Sequence, residues 1–115
     1  MSKSYQTSEG AVQDFLKSRW YKANFQMTKK AVLAVLDECG FEPSVTDDTY
    51  GEVFIETQNF TMTITIYEYS LSETSVDVFY QSKRFLDFGA SKKDIINFYD
   101  LLNNKLEFKG LSLHQ

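Results

Sequence analysis

The chain has 115 residues, 43% of them hydrophobic and 16% aromatic, with one proline and five glycines. That composition excludes a disordered or collagen-like chain and suits a single domain spanning residues 1–115. The net charge is −4, and the single Cys39 and single His114 exclude a disulfide framework and a His/Cys zinc set.

The charge is unevenly spread. Residues 1–36 carry six basic and two acidic side chains, residues 37–82 carry ten acids and no lysine or arginine, and residues 83–115 carry six basic and four acidic side chains. Three readings stay open: ordinary solvated faces, an acidic surface that meets a basic protein partner, or a dipolar molecule that associates with itself head to tail, and a homodimer is among the open assemblies. The opening segment MSKSYQTSEG lacks the apolar stretch of a secretory leader. The longest apolar run, residues 31–36, is too short to span a bilayer. A cytoplasmic protein with no membrane association is therefore expected, and one cysteine fits a reducing compartment.

In chain order, the first expected element is a helix over residues 8–21. Ser8 can cap it, Glu9 suits its positive end, and Val12, Phe15, Leu16 and Arg19 recur at helical spacing. A second helix is expected over residues 28–39, with Thr28 as N-cap, Gly40 as a left-handed C-cap and Phe41 folding back onto the last turn. Its run from Ala31 to Leu36 is apolar nearly all round, which predicts deep burial.

Alternating segments at residues 52–57, 60–69 and 75–81 predict strands, with a short fourth strand at 85–88. Val53 and Ile55 share one face of their strand, as do Met62, Ile64 and Ile66, and Val76, Val78 and Tyr80. A two-residue turn at Gln58-Asn59 sets Ile55 opposite Met62 and Val53 opposite Ile64. A three-residue turn would send the apolar residues to the wrong side. The uncharged run FTMTITIY belongs in the middle of a sheet or in a dimer interface, because as an edge it invites aggregation. A last helix is expected over residues 92–107, capped by Ser91 with Asp94 three residues on, and striped by Ile95, Phe98, Tyr99, Leu102 and Leu106. The tail from residue 108 adds a short strand or simply packs. The order α-α-β-β-β-(β)-α predicts an α+β domain: an antiparallel meander of three to four strands with helices packed on one face.

The same register defines the opposite face of the sheet. It carries Glu52, Phe54, Glu56, Thr61, Thr63, Thr65, Tyr67, Tyr69, Asp77 and Phe79. Large aromatics among acids make Glu52, Phe54, Glu56, Tyr67, Tyr69, Asp77 and Phe79 the candidate partner-binding residues. The competing expectation is that the first helix or the segment from Trp20 to Phe25 covers them. The stretch KSRWYKANFQMTKK interleaves basic and stacking side chains. Lys17, Arg19, Trp20, Lys22, Lys29 and Lys30 are thus candidates for binding nucleic acid or another anion, against an overall pI near 4.9. A third expectation is a carrier for a small apolar ligand, held between sheet and helices.

Motifs for catalysis and cofactors are missing: there is no P-loop, G-x-G-x-x-G, G-x-S-x-G, H-E-x-x-H or C-x-x-C. Asp47, Asp48 and Glu52 around Tyr50-Gly51 read as a polar turn, Cys39 as a small core residue and His114 as a solvated end. No cofactor and no metal are expected. The leading expectation is a non-enzymatic interaction module: an adaptor, a chaperone-like factor or an inhibitor that presents an acidic surface.

Overall fold

Period-two alternation in three consecutive segments builds the centre of the molecule. The computed structural model describes residues 3–114. Its strands are β1 (Ser4–Gln6), β2 (Arg19–Tyr21), β3 (Val45–Asp47), β4 (Glu52–Glu56), β5 (Phe60–Ser70), β6 (Glu73–Ser82) and β7 (Phe108–Leu111). The helices are α1 (Phe25–Glu38) and α2 (Ala90–Asn103), with one 3-10 turn at Asp14–Leu16. All seven strands form one antiparallel sheet in the order β3-β4-β5-β6-β2-β7, and β1 also pairs with β6. The class is therefore α+β, with two helices and a larger sheet than a three- to four-stranded meander.

The central register follows the alternation. Val53 lies opposite Ile64 and Ile55 opposite Met62, and Thr57 N–H donates to the Phe60 carbonyl across the Gln58-Asn59 turn. β5 sits between β4 and β6, so the uncharged FTMTITIY run has a paired strand on each side. One face of these strands is buried against Val32, Val35 and Leu36 of α1 and Ile95, Phe98 and Leu102 of α2.

The expected first helix is absent. Residues 4–21 instead form β1, the 3-10 turn and β2, which share one edge of β6. Arg19 opposes Val76, Trp20 opposes Ser75, and Ser4 opposes Gln81. The helical spacing of Val12, Phe15 and Leu16 misleads because Val12 points into solvent at 93% exposure, so the set shares no buried stripe. Arg19, Trp20 and Tyr21 are all buried, as in a strand covered on both faces.

Three further boundaries shift. α1 begins three residues before Thr28, because the Asn24 side chain accepts from Met27 N–H; Thr28 lies buried inside the helix. Its end is as expected: Gly40 has φ +78°, and Phe41 N–H returns to the Leu36 carbonyl. Ser91 does not cap α2. The Asp87 carboxylate does so, accepting the Ser91 N–H and its hydroxyl, and Ser91 is fully buried. α2 stops at Asn103, which frees residues 108–111 to add β7 beside β2. The expected strand at 85–88 is instead an exposed turn.

Candidate interaction surface

Both helices pack on one side of the sheet, so the opposite side is built from side chains alone. Its residues can be laid out from strand pairing, with neighbouring strands about 4.8 Å apart. One row runs Val45, Phe54, Thr63, Phe79, Gln6. The next runs Asp47, Glu52, Thr65, Asp77. A third brings Tyr67 beside Ser75 and Trp20. On the other flank, Glu56, Thr61, Gln81 and Ser4 form a polar row. An acidic row thus lies between two aromatic ones.

Six of the seven expected partner-binding residues behave as a surface set. Glu52 and Glu56 are exposed, Tyr67 and Tyr69 are more than half exposed, and Phe54 and Phe79 are half-buried by their neighbours on the same face. Glu56 is engaged by Lys83 at 2.9 Å, while Glu52 has no ion pair among the described residues. Asp77 has a different role. Its carboxylate accepts the hydroxyls of Thr7 at 2.6 Å and Ser18 at 2.7 Å, at the gap in the β6 edge between β1 and β2. Burial pushes its carboxyl above the ordinary value, against the lowering effect of those two hydroxyls. Asp77 pins the loop 7–18 and contributes to the face chiefly through its position.

The competing expectation, cover from within the chain, holds at one end only. Trp20 lies on this face, edge-on to Tyr67 at 6.5 Å and Tyr69 at 5.9 Å between ring centres. The tail folds over it: His114 stacks on Tyr69 at 4.2 Å, and its backbone N–H donates to Glu9, which also accepts the Trp20 indole N–H at 2.8 Å. His114 is therefore not simply solvated, since its ring also meets the Glu73 carboxylate. Hydrogen bonds from Lys109 and then His114 hold Glu73 below the usual carboxylate range. A pocket of about 290 Å³ remains between Trp20, Tyr67, Tyr69, Asp77 and His114. Sequence reasoning offered Trp20 only as the start of a covering segment, and it missed Glu9 and His114 as members of this face. The adjacent aromatics Trp20-Tyr21, read as a short strand, were the available signal for Trp20.

The alternative anion-binding residues do not converge. Arg19 is buried on the helix side, its guanidinium 4.4 Å over the Tyr99 ring and bonded to the carbonyls of Asp14 and Lys17. Trp20 points to the other face. Lys17 pairs with Asp14 and Lys29 with Asp48, leaving Lys22 exposed in the connection after β2 and Lys30 exposed on α1. Asp47, Asp48 and Glu52 form the polar turn expected of them, with Asp47 accepting Thr49 N–H. Among the described residues, no group of three or more His, Cys, Asp or Glu side chains could hold a metal ion.

Between sheet and helices lies one largely enclosed pocket of about 140 Å³, walled by Phe41, Phe60, Met62 and Phe98, with Tyr80 and Asp94 at its polar end. It is of the size of an engineered cavity that holds one benzene ring. Tyr80 donates to Asp94 and accepts from Arg84, and burial pushes both its hydroxyl and the nearby Cys39 thiol upward. Among the described residues, no helix is long and apolar enough to cross a membrane. No protein-family model matches the chain, and no curated protein is significantly similar to it in sequence.

Proposed function

We propose that the protein is a non-enzymatic interaction module that binds a basic, apolar-containing segment of a protein partner on the helix-free face of its sheet. The observation that carries this reading is the row order on that face: Asp47, Glu52 and Asp77 between the row of Phe54 and Phe79 and the row of Tyr67 and Trp20. Aromatic rows supply desolvated contact area, and the exposed carboxylate of Glu52 between them selects positive charge and speeds encounter. Cys39, Tyr21, Tyr80 and Tyr99 are all pushed up by burial, away from the range in which they would act as bases or nucleophiles at neutral pH.

The test is binding of the intact chain to a peptide array that varies charge at constant aromatic content. Basic peptides should bind best, with affinity falling as salt rises. Replacing Phe54 and Phe79 by Ser should weaken binding about tenfold or more, as expected when central aromatics are lost. Both rings are half-buried, so Thr63→Arg supplies a second variant. Thr63 lies directly between them, and a bulky cation there blocks the face while leaving the core intact. Equal binding of basic and acidic peptides, or binding unaffected by Thr63→Arg, overturns the reading.

A further inference from the structure

Away from that face, the connection from β6 to α2 presents apolar side chains that the fold does not use. Phe85 is 85% exposed, Leu86 58% and Phe88 90%. The neighbouring loop carries Val12 at 93%, and a depression between the two loops is lined by Tyr5, Phe15, Leu86 and Phe88 together with Lys3 and Lys92. Single exposed apolar residues are ordinary, but two nearly bare phenylalanines three positions apart are not.

The backbone sharpens the point. Ala90 N–H donates to the Asp87 carbonyl at 2.9 Å, closing a tight turn whose central residues both have positive φ, +51° at Phe88 and +80° at Gly89. Turns of that kind favour Asn, Asp or Gly at the first central position, because a side chain there strains the backbone. Phe88 thus sits where neither packing nor conformation asks for a phenylalanine. The turn is also firmly held, since the Asp87 carboxylate is turned inward onto Ser82 and Ser91. A strained, rigid turn that holds an aromatic in water suggests function.

Charge selects the occupant. The acids nearest in sequence to this surface are already engaged: Asp87 as above, Asp94 by Tyr80 and Arg84, Asp14 by Lys17. Lys3, Lys92 and Lys93 are exposed and form no ion pair with the described residues, while the Lys92 ammonium lies over the Phe15 ring at 5.0 Å. The apolar side chains protrude on loop tips instead of lining a deep groove. Protruding aromatics beside uncompensated lysines fit an anionic lipid surface, which surrounds an inserted side chain without demanding a matching shape. We infer that the 84–89 turn is an insertion element by which the protein docks reversibly on anionic membranes.

The test is co-sedimentation of the full chain with vesicles of equimolar phosphatidylglycerol and phosphatidylcholine. Binding should be strong at low salt, fall as salt rises, and be weak on phosphatidylcholine alone. Phe85→Ser combined with Phe88→Asn should lower the partition coefficient about tenfold or more, given the apolar area withdrawn from the bilayer. Lys92→Glu with Lys93→Glu should do likewise. Phe88→Asn alone provides the distinguishing readout: it should raise the melting temperature by relieving the turn while lowering vesicle binding. A structural role for Phe88 predicts a lower melting temperature instead. Failure to sediment with anionic vesicles, undiminished binding by the double phenylalanine variant, or capture of an acidic peptide without any vesicle binding overturns the inference.

Discussion

At the residue scale, two aspartates show opposite electrostatics. Asp87 caps α2, and the Ser91 hydroxyl, then its N–H and Ser82, hold the carboxyl below its ordinary value of 3.8. A depressed carboxyl stabilises the fold above its unfolded pKa, and that contribution is lost as pH falls toward the native value. Asp77 has a raised carboxyl, so its contribution runs the other way: it is present below the ordinary value and is lost as pH rises through the raised native one. Replacing Asp87 by Ala should therefore cost stability at pH 7, by about 1–2 kcal/mol for a lost cap. The gap from the parent chain should narrow as pH falls below about 4. Urea melts at pH 7 and pH 3 check this; an equal gap at both would rule out the ionised cap. Neither partner set was legible locally. The Asp87 cap depends on a left-handed turn that Phe88 disguises, and Asp77 finds hydroxyls that lie 70 and 59 positions away.

At the element scale, the sequence was most informative where periodicity and a turn acted together. β4, β5 and β6 alternate cleanly, and only one loop length keeps Val53, Ile55, Met62 and Ile64 on one side, so register and both faces could be read directly. The N-terminal third was misread for a related reason. β1 and β2 have three residues each, too few to display a period. Their identity comes from the β6 edge they complete, which is a tertiary fact. β7 was left open for the same reason. Gly51 illustrates what such pairing demands. It has φ +65°, its carbonyl accepts Ile66 N–H at 2.7 Å, and a Cβ there would collide with the Ile66 carbonyl oxygen. Gly51→Ala should destabilise the fold by at least about 2 kcal/mol, combining strain with a displaced backbone. A chemical melt that matches the parent chain would contradict this placement.

At the scale of the whole molecule, the two helices occupy one side of the sheet and leave the other to polar and aromatic side chains. The acidic middle segment supplies most of that open side, and the basic ends contribute the lysines near the β6–α2 turn. The +4, −10, +2 pattern along the chain therefore becomes a division between surfaces. The C-terminus closes the sheet, as Arg19 pairs with Leu111 and Tyr21 with Phe108. Removing residues 108–115 should bare the β2 edge and uncover Trp20. The expected results are a red shift of the single tryptophan's emission and concentration-dependent light scattering. A truncated chain that stays monodisperse with unchanged emission would show that β7 is dispensable.

The β6 edge has one further consequence. A single strand position is filled by two separated segments, β1 against residues 79–81 and β2 against residues 74–76. The excursion between them closes on itself, with Ser8 N–H bonded to the Leu16 carbonyl and Ser18 N–H to the Ser8 carbonyl. Sheet integrity is thus uncoupled from the length of this excursion. Its tip near Gly10 has no neighbour within 4 Å of where a side chain would begin. Longer loops cost little in closure entropy when their ends are already clasped. The tip is therefore a natural graft point, where a peptide epitope or fluorescent reporter can be spliced without breaking a strand.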